Sequence, residues 1–506
     1  MSKKGKVLLI TPNLMGVKDG LNRIQPPLGP MISAAVMQNN GHDVKIHDTA
    51  LEGWSNQQQL DHKTVIIGQS DAQIEKVITD FDPDVVGISA LFSNLTDSAH
   101  NIARIVKQVK PLAKVILGGN HISNSVAGYA RALSDPTTKK SPRLIDMEDR
   151  NIDYAMRGEV DWEFPRLVNG LINQAPVDDI PGLVMRHSKE SFAYFIGATP
   201  GRLASLSDLP HPARDLVNME GYFEIGAFHS AKSKSKRVLS VMASRGCPEK
   251  CTFCTTPEMW GSEVRWRDTE DIAREIREAK AKYNIGEIQF EDDTITARKK
   301  NLLELCTELE KIDLPWCTPN GTKTNYHLAT QPEMYKAMAD AGCYQITLAC
   351  ESGVQRVLDN IIRKRLKVDE MKPAIENAKK AGMFVHTFWI LGYPGESYEE
   401  MQQTVDFAMN SGADSFSFAI LSPLPGTSIF NDVEKNDLWW PGRTVKDLMY
   451  RSSLVKVDGF NSPDEFEKFV NEANVKSNKL LKKNDPKRFQ MKYGTDTDER
   501  TLVKQT

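Results

Sequence analysis

Three cysteines lie close together near the middle of the chain, and their spacing is the most chemically informative feature of the sequence. The stretch Ser244–Cys254 reads SRGCPEKCTFC, which places Cys247, Cys251 and Cys254 in a CxxxCxxC pattern. Cysteine thiolates bind zinc and iron–sulfur clusters in proteins. Four thiolates complete such a centre, whereas three leave one coordination position open to a small molecule. The motif therefore indicates a metal centre that could carry out chemistry.

A structural zinc site is the alternative that this spacing leaves open. Zinc takes four ligands in such sites, and a distant Cys306, Cys317 or His327 could supply the fourth. The motif follows the apolar segment Val238–Met242, which we predict to be the first strand of a βα series. Loops that follow the strands of βα barrels carry active sites. The placement therefore favours a reactive centre.

The length and charge of the chain restrict its class. The 506 residues leave room for about three domains at roughly 150 residues each. The 64 Lys and Arg and the 67 Asp and Glu give a net charge of −3, so no global basic field points to nucleic acid. No apolar run reaches the roughly 18 residues that a membrane span requires, and the run Val7–Ile10 is too short for a secretory signal. We expect a cytoplasmic enzyme with no nucleic-acid partner and no membrane span.

Residues 1–200 alternate short apolar strands with amphipathic helices, which predicts a doubly wound, Rossmann-like α/β domain. One helix is expected near Gly29–Asn40, and another carries apolar residues at helical spacing from Ile102 to Val109. The predicted strands, all expected to be parallel, are Val7–Ile10, Val44–Ile46, Val85–Ile88, Val115–Leu117 and Tyr154–Met156.

A second βα series begins after a segment without regular pattern, and we interpret it as a partial (βα)6 barrel. Residues 201–237 are expected to be a linker, residues 238–430 the barrel, and residues 431–506 a small, mostly helical C-terminal region. The six predicted barrel strands are Val238–Met242, Glu287–Phe290, Trp316–Asn320, Gln345–Ala349, Phe384–Leu391 and Ser415–Leu421.

Small and polar residues follow several strands of the N-terminal domain. Ligands of open α/β sheets bind beyond the carboxyl ends of the strands, so these residues form a candidate cofactor crevice. The segments concerned are Thr11–Asn13, Ser89–Ser93, Gly118–His121 and Arg157–Glu159.

The cysteine segment resembles the signature of the radical S-adenosylmethionine (SAM) superfamily, in which an aromatic residue, here Phe253, precedes the third cysteine. The resemblance continues, in the order that this family shows, through three later segments. These are Phe290–Asp293 after the second strand, Leu348–Gly353 after the fourth, and Ile390–Glu396 after the fifth.

The resemblance implies that Cys247, Cys251 and Cys254 hold a 4Fe-4S cluster, with SAM chelating the fourth iron. One electron would then cleave SAM to a 5′-deoxyadenosyl radical. Glu351 would accept hydrogen bonds from the ribose hydroxyls, and small residues around Gly392 would let the backbone approach the adenosine. For Asp292, a turn at the end of the strand remains an alternative to a SAM contact. For Arg363, the alternative is a solvated position on a helix. The SAM-binding residues expected are Phe253, Asp292, Glu351, Arg363, Gly392 and Pro394.

The N-terminal domain resembles the cobalamin-binding domain that is fused to many radical SAM enzymes. The resemblance rests on Pro26–Pro30, Gly41–Val44, Asp82–Ser89, Gly118–His121 and Gly158–Glu159. The chain lacks the DxHxxG motif that supplies a cobalt-ligating histidine elsewhere, and a loop histidine such as His121 more often forms hydrogen bonds. The cobalamin-binding residues expected are Pro12, Asn13, Ser89, Leu91, Ser93, Gly118, Gly119, Asn120, His121, Gly158 and Glu159.

The two resemblances together imply a cobalamin-dependent radical SAM methyltransferase of the type often called class B. Cobalamin would relay a methyl group from SAM to an unactivated centre of a small-molecule, biosynthetic substrate. An electron donor such as flavodoxin or ferredoxin would supply electrons. No residue is singled out as a catalytic acid or base.

Other functions stay open at this stage. A non-methylating member of the same architecture would catalyse cyclisation, ring contraction or oxidation. A cobalamin sensor would use the cluster as a structural element only. Methylthiotransferases of transfer RNA share the cluster motif but carry three further N-terminal cysteines, and here no cysteine precedes Cys247.

Overall fold

Two large sheets, one mostly and one entirely parallel, organise the chain in the computed structural model. The model describes residues 3–18, 20–134, 143–188, 193–230, 233–325, 328–449 and 452–493. Each sheet is built from the βα units that the sequence predicts, so the α/β fold class is confirmed.

The N-terminal sheet has the strand order β10-β9-β8-β7-β6-β1-β3 within the described residues. All five predicted strands are present and parallel, and the antiparallel strands β9 and β10 extend one edge beyond them. The strands are β1 (Lys6–Thr11), β3 (Asp43–Asp48), β6 (Val85–Ser89), β7 (Lys114–Gly118), β8 (Tyr154–Met156), β9 (Leu183–Arg186) and β10 (Tyr194–Ile196).

Alternation along β1 explains why helices cover both faces of this sheet. Leu8 and Ile10 enter one apolar core, whereas Val7 and Leu9 enter the core on the opposite face. The covering helices are α1 (Leu28–Asn39), α2 (Thr49–Glu52), α3 (Asp71–Phe81), α4 (Thr96–Val109), α5 (Asn120–Ser134), α6 (Ile145–Glu148) and α7 (Glu163–Asn173).

A small antiparallel sheet that the sequence analysis missed lies beside the first strand. It consists of β2 (Leu14–Val17), β4 (Gln57–Gln59) and β5 (Thr64–Ile67), with β5 in the centre. The polar run Gln57–Gln59 has no alternation of apolar and polar residues, so the sequence pattern does not predict a strand there.

The second sheet has the order β11-β14-β15-β16-β17-β18, all parallel, as expected for a partial barrel of six units. Its strands are β11 (Val238–Val241), β14 (Glu287–Phe290), β15 (Trp316–Thr322), β16 (Cys343–Glu351), β17 (Phe384–Leu391) and β18 (Ser415–Ile420), and a short pair, β12 (Ser244–Arg245) and β13 (Arg265–Trp266), follows β11. The helices of this part are α9 (Thr256–Met259), α10 (Thr269–Tyr283), α11 (Lys299–Ile312), α12 (Pro332–Asp340), α13 (Met371–Lys380), α14 (Tyr398–Met409) and α15 (Ser428–Lys435), with a π-helix at Val357–Ile362.

The segment expected to be a linker contains an ordered helix, α8 (Met219–Ile225). Its Tyr222 is fully buried with the apolar core of the barrel, and the Tyr222 hydroxyl donates to Asp48 of the N-terminal domain. Two adjacent aromatic residues, Tyr222 and Phe223, bury enough apolar surface to order this segment. The segment thereby ties the two sheets together.

The C-terminal region closes the open edge of the barrel. Helix α16 (Pro463–Asn484) packs against β18 and is followed by α17 (Pro486–Tyr493). The Asn474 side chain accepts from the Phe418 amide at 3.0 Å and donates to the Phe418 carbonyl at 3.0 Å. Ser477 bonds the backbone of Phe416 in the same way. The helix therefore satisfies backbone groups that an edge strand would otherwise expose. Within the described residues, no helix has both the length and the apolar character needed to cross a membrane.

Candidate functional site

The loop that carries the three cysteines follows β12 and is held in place by backbone bonds on two sides. Gly246 has a φ of +101°, and a Cβ at this position would collide with the Glu263 carbonyl. The Thr252 amide donates to the Ile362 carbonyl at 2.9 Å, and the Thr252 carbonyl accepts from the Ile429 amide at 3.1 Å. The loop is therefore clamped between the π-helix and α15.

The three cysteines are partly exposed and close enough to influence one another electrostatically. Burial raises the pKa of Cys247 to about 11 and that of Cys251 to about 12, and it shifts the pKa of Cys254 in the same direction. The thiols are therefore neutral until a cationic centre displaces their protons. Three soft donors on one clamped loop fit an iron–sulfur cluster with one open coordination position.

The zinc alternative finds less support in the geometry. Among the described residues, no three His, Cys, Asp or Glu side chains are arranged to hold a single metal ion. A single ion draws its thiolates together, whereas a four-iron cluster offers each thiolate a different iron. Cys306 and Cys317 are buried on other barrel elements, and His327 lies outside the described residues.

Glu351 ends β16, and its backbone adopts a left-handed conformation with φ of +65°. Lys364 Nζ donates to Glu351 Oε1 at 2.9 Å and to the Ala349 carbonyl at 2.7 Å, and both charged side chains are buried. Burial alone would lower the pKa of Lys364, but the adjacent Glu351 carboxylate raises it. A charged lysine thus orients the predicted ribose acceptor.

Arg363 does not reach this carboxylate. Its side chain is exposed, and its backbone ends the π-helix with a φ of +58°. The reversal of direction turns the next residue, Lys364, inward instead. The basic residue beside Glu351 is therefore Lys364, whereas the SAM contact expected of Arg363 stays a prediction.

The segment after β17 forms a tight turn around a buried carboxylate. Glu396 accepts from the amides of Gly392 at 2.9 Å and Tyr393 at 3.1 Å, and burial raises the pKa of Glu396 to about 8. A Cβ at Gly392 would lie 2.6 Å from the ring of Phe466, so a glycine at this position leaves room for that ring of helix α16. Pro394 is partly exposed at the tip of this turn.

Two aromatic residues join this turn to the cysteine loop. The rings of Phe253 and Tyr393 are 6.0 Å apart, and the buried Tyr393 hydroxyl has no hydrogen-bond partner among the described residues. Burial and the nearby Glu351 carboxylate raise the pKa of this hydroxyl. An unsatisfied buried donor beside a carboxylate fits a polar ligand such as the ribose or amino-acid part of SAM.

Both carboxylate oxygens of Asp292 support the start of the cysteine loop, and its SAM contact stays a prediction. It accepts from the Ala243 amide at 3.1 Å and from the Ser244 hydroxyl, and burial raises its pKa to about 7. These bonds tie the end of β14 to the start of the cysteine loop. Asp293 continues this support by accepting from Thr256 at 2.9 Å.

The carboxyl edge of the N-terminal sheet offers an open apolar surface. Leu91 and Phe92 are 48% and 52% exposed, and Ser89 is partly exposed beside them. A Cβ at Gly118 would meet nothing within 4 Å, so the backbone there faces open space. Exposed apolar side chains around an open glycine fit a flat, amide-bearing macrocycle such as a corrin.

His121 is not available to ligate cobalt in this arrangement. Its Nδ1 lies 2.9 Å from Ser93 Oγ and its Nε2 lies 3.1 Å from Asp146 Oδ2, and the side chain is buried. Asp146 also lies 3.2 Å from Nε2 of His100. Both predicted residues, Ser93 and His121, therefore belong to a buried polar network behind the sheet edge.

Other predicted cobalamin residues mainly shape the backbone of the edge. Asn13 forms two bonds with the Gln69 backbone, at 2.8 and 3.1 Å, and Pro12 is buried. Gly119 has a φ of +104° and packs directly against the Ala90 backbone. The Gly158 amide donates to Ser123 at 2.8 Å.

The carboxyl edges of the two sheets face each other across the domain interface. Asn120 Nδ2 lies 3.4 Å from the hydroxyl of Thr255, which directly follows Cys254. A Cβ at Gly128 of α5 would lie 3.0 Å from the Gly426 amide of the barrel. The expected cobalamin surface and the cysteine loop therefore border the same space.

A buried ion-pair network locks this interface. Arg245 contacts Glu159 at 2.6 Å and Asp161 at 2.7 Å, and Arg265 contacts Glu159 at 2.7 Å. The Arg245 guanidinium also stacks over Trp260, 4.6 Å from the ring centroid. Glu159 connects the N-terminal domain to the cysteine loop through these pairs, and its cobalamin contact stays a prediction.

A polar pair inside the barrel was missed by the sequence analysis. His229 Nδ1 lies 2.8 Å from Glu291 Oε2, and Glu291 Oε1 is buried with no hydrogen-bond partner in the part of the chain that the structure describes. The His229 side chain is partly exposed, and the adjacent Glu291 carboxylate raises its pKa against the effect of burial. Alternation from Glu287 through Gln289 to Glu291 is the signal that would have placed Glu291 on the inner face.

The inner face around this pair is partly open. Asn320 Nδ2 donates to the Glu291 carbonyl at 2.9 Å. Phe388 and Ser417, which alternate with buried outward residues of β17 and β18, are also partly exposed. The inner faces of β17 and β18 therefore present both apolar and hydrogen-bonding side chains.

Family models match two parts of this chain. The model of the radical SAM superfamily matches residues 241–408, and the model of the B12 binding domain matches residues 20–135. The cysteine loop falls in the first range, and the exposed residues Leu91 and Phe92 fall in the second.

Two curated relatives span most of the chain. A cytidylyl-2-hydroxyethylphosphonate methyltransferase of Streptomyces wedmorensis is 32% identical over 486 residues, which cover 91% of this chain and 87% of the relative. An uncharacterized methyltransferase of Pyrococcus horikoshii is 28% identical over 436 residues, with coverage of 85% and 83%.

Solved structures share the fold. The radical S-adenosylmethionine methyltransferase TsrM from Kitasatospora setae, with cobalamin and a [4Fe-4S] cluster bound, superposes with a TM-score of 0.62 at 14% identity, covering 87% of this chain and 77% of TsrM. The apo form of the cobalamin-dependent radical enzyme OxsB gives a TM-score of 0.67 at 14% identity, with coverage of 99% and 74%.

Proposed function

The chain belongs to the cobalamin-dependent radical SAM methyltransferase family, and from this premise we propose which residues, substrate and partner serve the reaction. The enzyme uses a 4Fe-4S cluster, SAM and cobalamin to methylate a small-molecule substrate. The location of the site is inferred from the contact between Asn120 and Thr255, where the carboxyl edges of the two sheets meet. A methyl carrier and a radical source must both reach one substrate, and this interface gives them a common space.

Cys247, Cys251 and Cys254 hold the cluster in this proposal, because they are the three soft donors on the clamped loop. Glu351, oriented by Lys364, and the unpartnered Tyr393 hydroxyl bind the polar parts of SAM. When bound, the cluster and SAM together would supply a carbon-centred radical, and cobalamin would supply the methyl group. The chain contributes binding, orientation and exclusion of water.

We place cobalamin over Gly118 and the exposed residues Leu91 and Phe92. Their apolar surface and open backbone support this position. Ser93, His121 and Glu159 act behind this surface, through the bonds described above, rather than on the corrin itself. The division into a cobalamin domain at residues 1–200, a connecting segment at 201–237, a barrel at 238–430 and a C-terminal region at 431–506 fits this assignment.

The substrate occupies the inner face of the barrel and presents a hydroxyl group to Glu291. The buried Oε1 of Glu291 has no donor, and a substrate hydroxyl would provide one. Cytidylyl-2-hydroxyethylphosphonate carries such a hydroxyl and is the substrate in the name of a relative that spans most of this chain. It is therefore the first compound to assay.

The electrons come from a protein donor such as flavodoxin or ferredoxin in the cytoplasm. All seven cysteines are free, which is typical of proteins from a reducing compartment.

Reconstitution followed by an isotope assay tests the proposal. The protein is loaded anaerobically with iron, sulfide and hydroxocobalamin, desalted, and assayed for iron and cobalt. The loaded enzyme then receives cytidylyl-2-hydroxyethylphosphonate, a chemical reductant and SAM labelled in its methyl group. Labelled product together with 5′-deoxyadenosine and S-adenosylhomocysteine supports the proposal. Iron without cobalt, or 5′-deoxyadenosine without S-adenosylhomocysteine, would overturn the methyl relay.

A further inference from the structure

The cysteine motif contains a buried carboxylate that its sequence pattern does not explain. Glu249 lies between Cys247 and Cys251 and is followed directly by Lys250. Charged residues in a loop are usually exposed, and Lys250 is exposed, but Glu249 is only 5% exposed. Burying a carboxylate is costly unless cations and hydrogen bonds compensate for the lost water. The position of Glu249 therefore depends on partners from outside the loop.

Two cations from different barrel segments hold this carboxylate. Lys323, which follows β15 and is itself buried, lies 2.9 Å from Glu249 Oε1. Arg365, which follows the π-helix, donates its guanidinium to Oε1 at 3.1 Å and its backbone amide to Oε2 at 3.3 Å. The guanidinium also donates to the Pro248 carbonyl at 3.0 Å. The middle of the cysteine loop is thereby attached to two segments that carry none of the three cysteines.

Glu249 acts electrostatically on a cysteine of its own loop. Burial raises the pKa of Cys247, and the Glu249 carboxylate raises it further, whereas a hydrogen bond from the Glu249 backbone lowers it. The carboxylate thus disfavours negative charge at this sulfur. An iron–sulfur centre on the three thiolates gains one negative charge when one electron reduces it. Net charge and hydrogen bonds near the sulfurs are among the factors that set the potential of such centres.

We propose that Glu249 is a positioning residue that sets the reduction potential of the centre bound by the cysteine loop, with Lys323 and Arg365 as its counter-charges. This inference rests on the proposed function, because only a redox-active cluster at these cysteines has a potential to set. The carboxylate opposes the gain of an electron, and the two cations offset this opposition. Replacing either charge of the buried Glu249–Lys323 pair should therefore shift the potential in a direction set by the sign of the charge that is lost.

Glu249 can be tested separately from SAM binding. The other buried ion pair beside this loop, Glu351 and Lys364, is proposed to serve SAM, so a substitution there would change two properties at once. Glu249 is not among the expected SAM contacts. A measurement on the cluster in the absence of SAM therefore isolates the effect of its charge.

The test is a potentiometric titration of the reconstituted holoenzyme without SAM. Titanium(III) citrate supplies the electrons, and low-temperature EPR distinguishes the reduced cluster from cob(II)alamin and reports the midpoint potential. The variants are Glu249→Gln, Lys323→Gln and E249Q/K323Q, which remove the negative charge, the positive charge and both. Asp340→Asn and Lys336→Met are the matched controls, because these residues form an exposed ion pair on α12. Iron content and the thermal unfolding midpoint verify that each variant is intact.

We expect Glu249→Gln to raise the midpoint potential and Lys323→Gln to lower it. Each shift should correspond to about a tenfold change in the equilibrium between the two cluster states, which is about 59 mV for one electron. The double variant should return most of the way to the wild-type potential, and the two α12 variants should stay near it. Shifts of the same sign in the two single variants, or shifts no larger than those of the controls, would overturn the inference, because disturbed packing does not follow the sign of a charge.

The outcomes separate this inference from the proposed function. A wild-type protein that retains no reducible iron–sulfur cluster defeats the proposed function. A wild type with such a cluster, together with single variants that fail to shift in opposite directions, defeats only the role of Glu249. Should Glu249→Gln lose its iron, Lys323→Gln and Arg365→Gln carry the test. Both remove a cation from Glu249 and should lower the potential, the exposed Arg365 by less, and a rise or no change in both contradicts the inference.

Discussion

Lys364 Nζ lies 2.9 Å from Glu351 Oε1, and both side chains are buried beside the cysteine loop. Glu351 is the residue that we propose as the hydrogen-bond acceptor for SAM. Lys364 fixes its carboxylate and also bonds the Ala349 carbonyl at 2.7 Å, so the lysine ties the side chain of Glu351 to the end of its own strand. The ion pair therefore belongs to the scaffold of the proposed binding site.

Lys364→Met should destabilise the protein strongly. The substitution preserves most of the volume but strands the Glu351 carboxylate in a buried position, which costs about 3–5 kcal/mol of unfolding free energy. Urea denaturation of the apoprotein measures the loss. Lys336→Met, which breaks an exposed pair with Asp340, should cost less than about 1 kcal/mol. Adding Glu351→Gln to Lys364→Met should restore stability but not SAM binding; a double variant as unstable as the single one contradicts this account.

Replacement of any one of Cys247, Cys251 and Cys254 by serine should abolish cluster binding. Reconstituted wild-type protein should retain about four irons per chain, and each variant well below one, because the hydroxyl is a poor iron ligand. Elemental analysis and the visible absorption band of the cluster provide the measurement. Cys317→Ser and Cys350→Ala change buried thiols on barrel strands and should keep their iron. Stoichiometric zinc in the wild type would instead favour a structural zinc site.

Arg245→Met should loosen the interface between the two sheets. The substitution leaves Asp161 without its cation and Glu159 with Arg265 alone, and breaking such a buried network costs about 3–5 kcal/mol. We expect a lower unfolding temperature and faster loss of cobalamin on gel filtration, both measured on reconstituted protein. Arg104→Met removes an exposed pair with Asp71 and is the control. Full retention of cobalamin by Arg245→Met would show that the network does not set the relative position of the domains.

The strands of both sheets could be predicted because each is marked by its own residues. Val7–Ile10 and Val85–Ile88 are apolar on both faces, which is the pattern of buried parallel strands. The cysteine loop could also be placed, because its motif follows a predicted strand. Each of these predictions depends on residues that are neighbours in sequence.

The remaining parts of the site depend on residues that are distant in sequence. Glu159 finds Arg245, 86 positions away, only because the two sheets meet edge to edge. The choice of Lys364 over Arg363 depends on the left-handed backbone that ends the π-helix, which no side-chain pattern indicates. The Phe466 ring at Gly392 likewise becomes visible only when α16 covers the barrel edge.

Glu291→Gln should impair substrate binding without affecting SAM. The amide is isosteric but loses the charge that accepts the substrate hydroxyl and holds His229, and a hydrogen bond to a charged group contributes about 1.5–3 kcal/mol. This corresponds to a rise in KM of about 10- to 100-fold, with a smaller change in kcat. The assay uses cytidylyl-2-hydroxyethylphosphonate and follows 5′-deoxyadenosine as well as product. Glu434→Gln, an exposed carboxylate that contacts Trp439 outside the barrel, is the control and should behave as the wild type. An unchanged KM for Glu291→Gln would remove Glu291 from the substrate pocket.

The stability of the N-terminal domain should depend on pH through His100. Burial alone would lower the pKa of His100, but hydrogen bonds to Asp146 and Asp149 raise it from 6.5 to about 9. The charged imidazolium is therefore favoured by folding, so its stabilisation is complete below pH 6.5 and disappears as the pH rises through about 9. His100→Gln should cost about 2–3 kcal/mol of unfolding free energy at pH 6 and almost nothing at pH 10. Urea denaturation across this range measures the difference. In an Asp149→Asn background the effect of His100→Gln at pH 6 should shrink, because one of the two carboxylates that stabilise the imidazolium is gone; a cost that does not vary with pH would mean that His100 acts by packing alone.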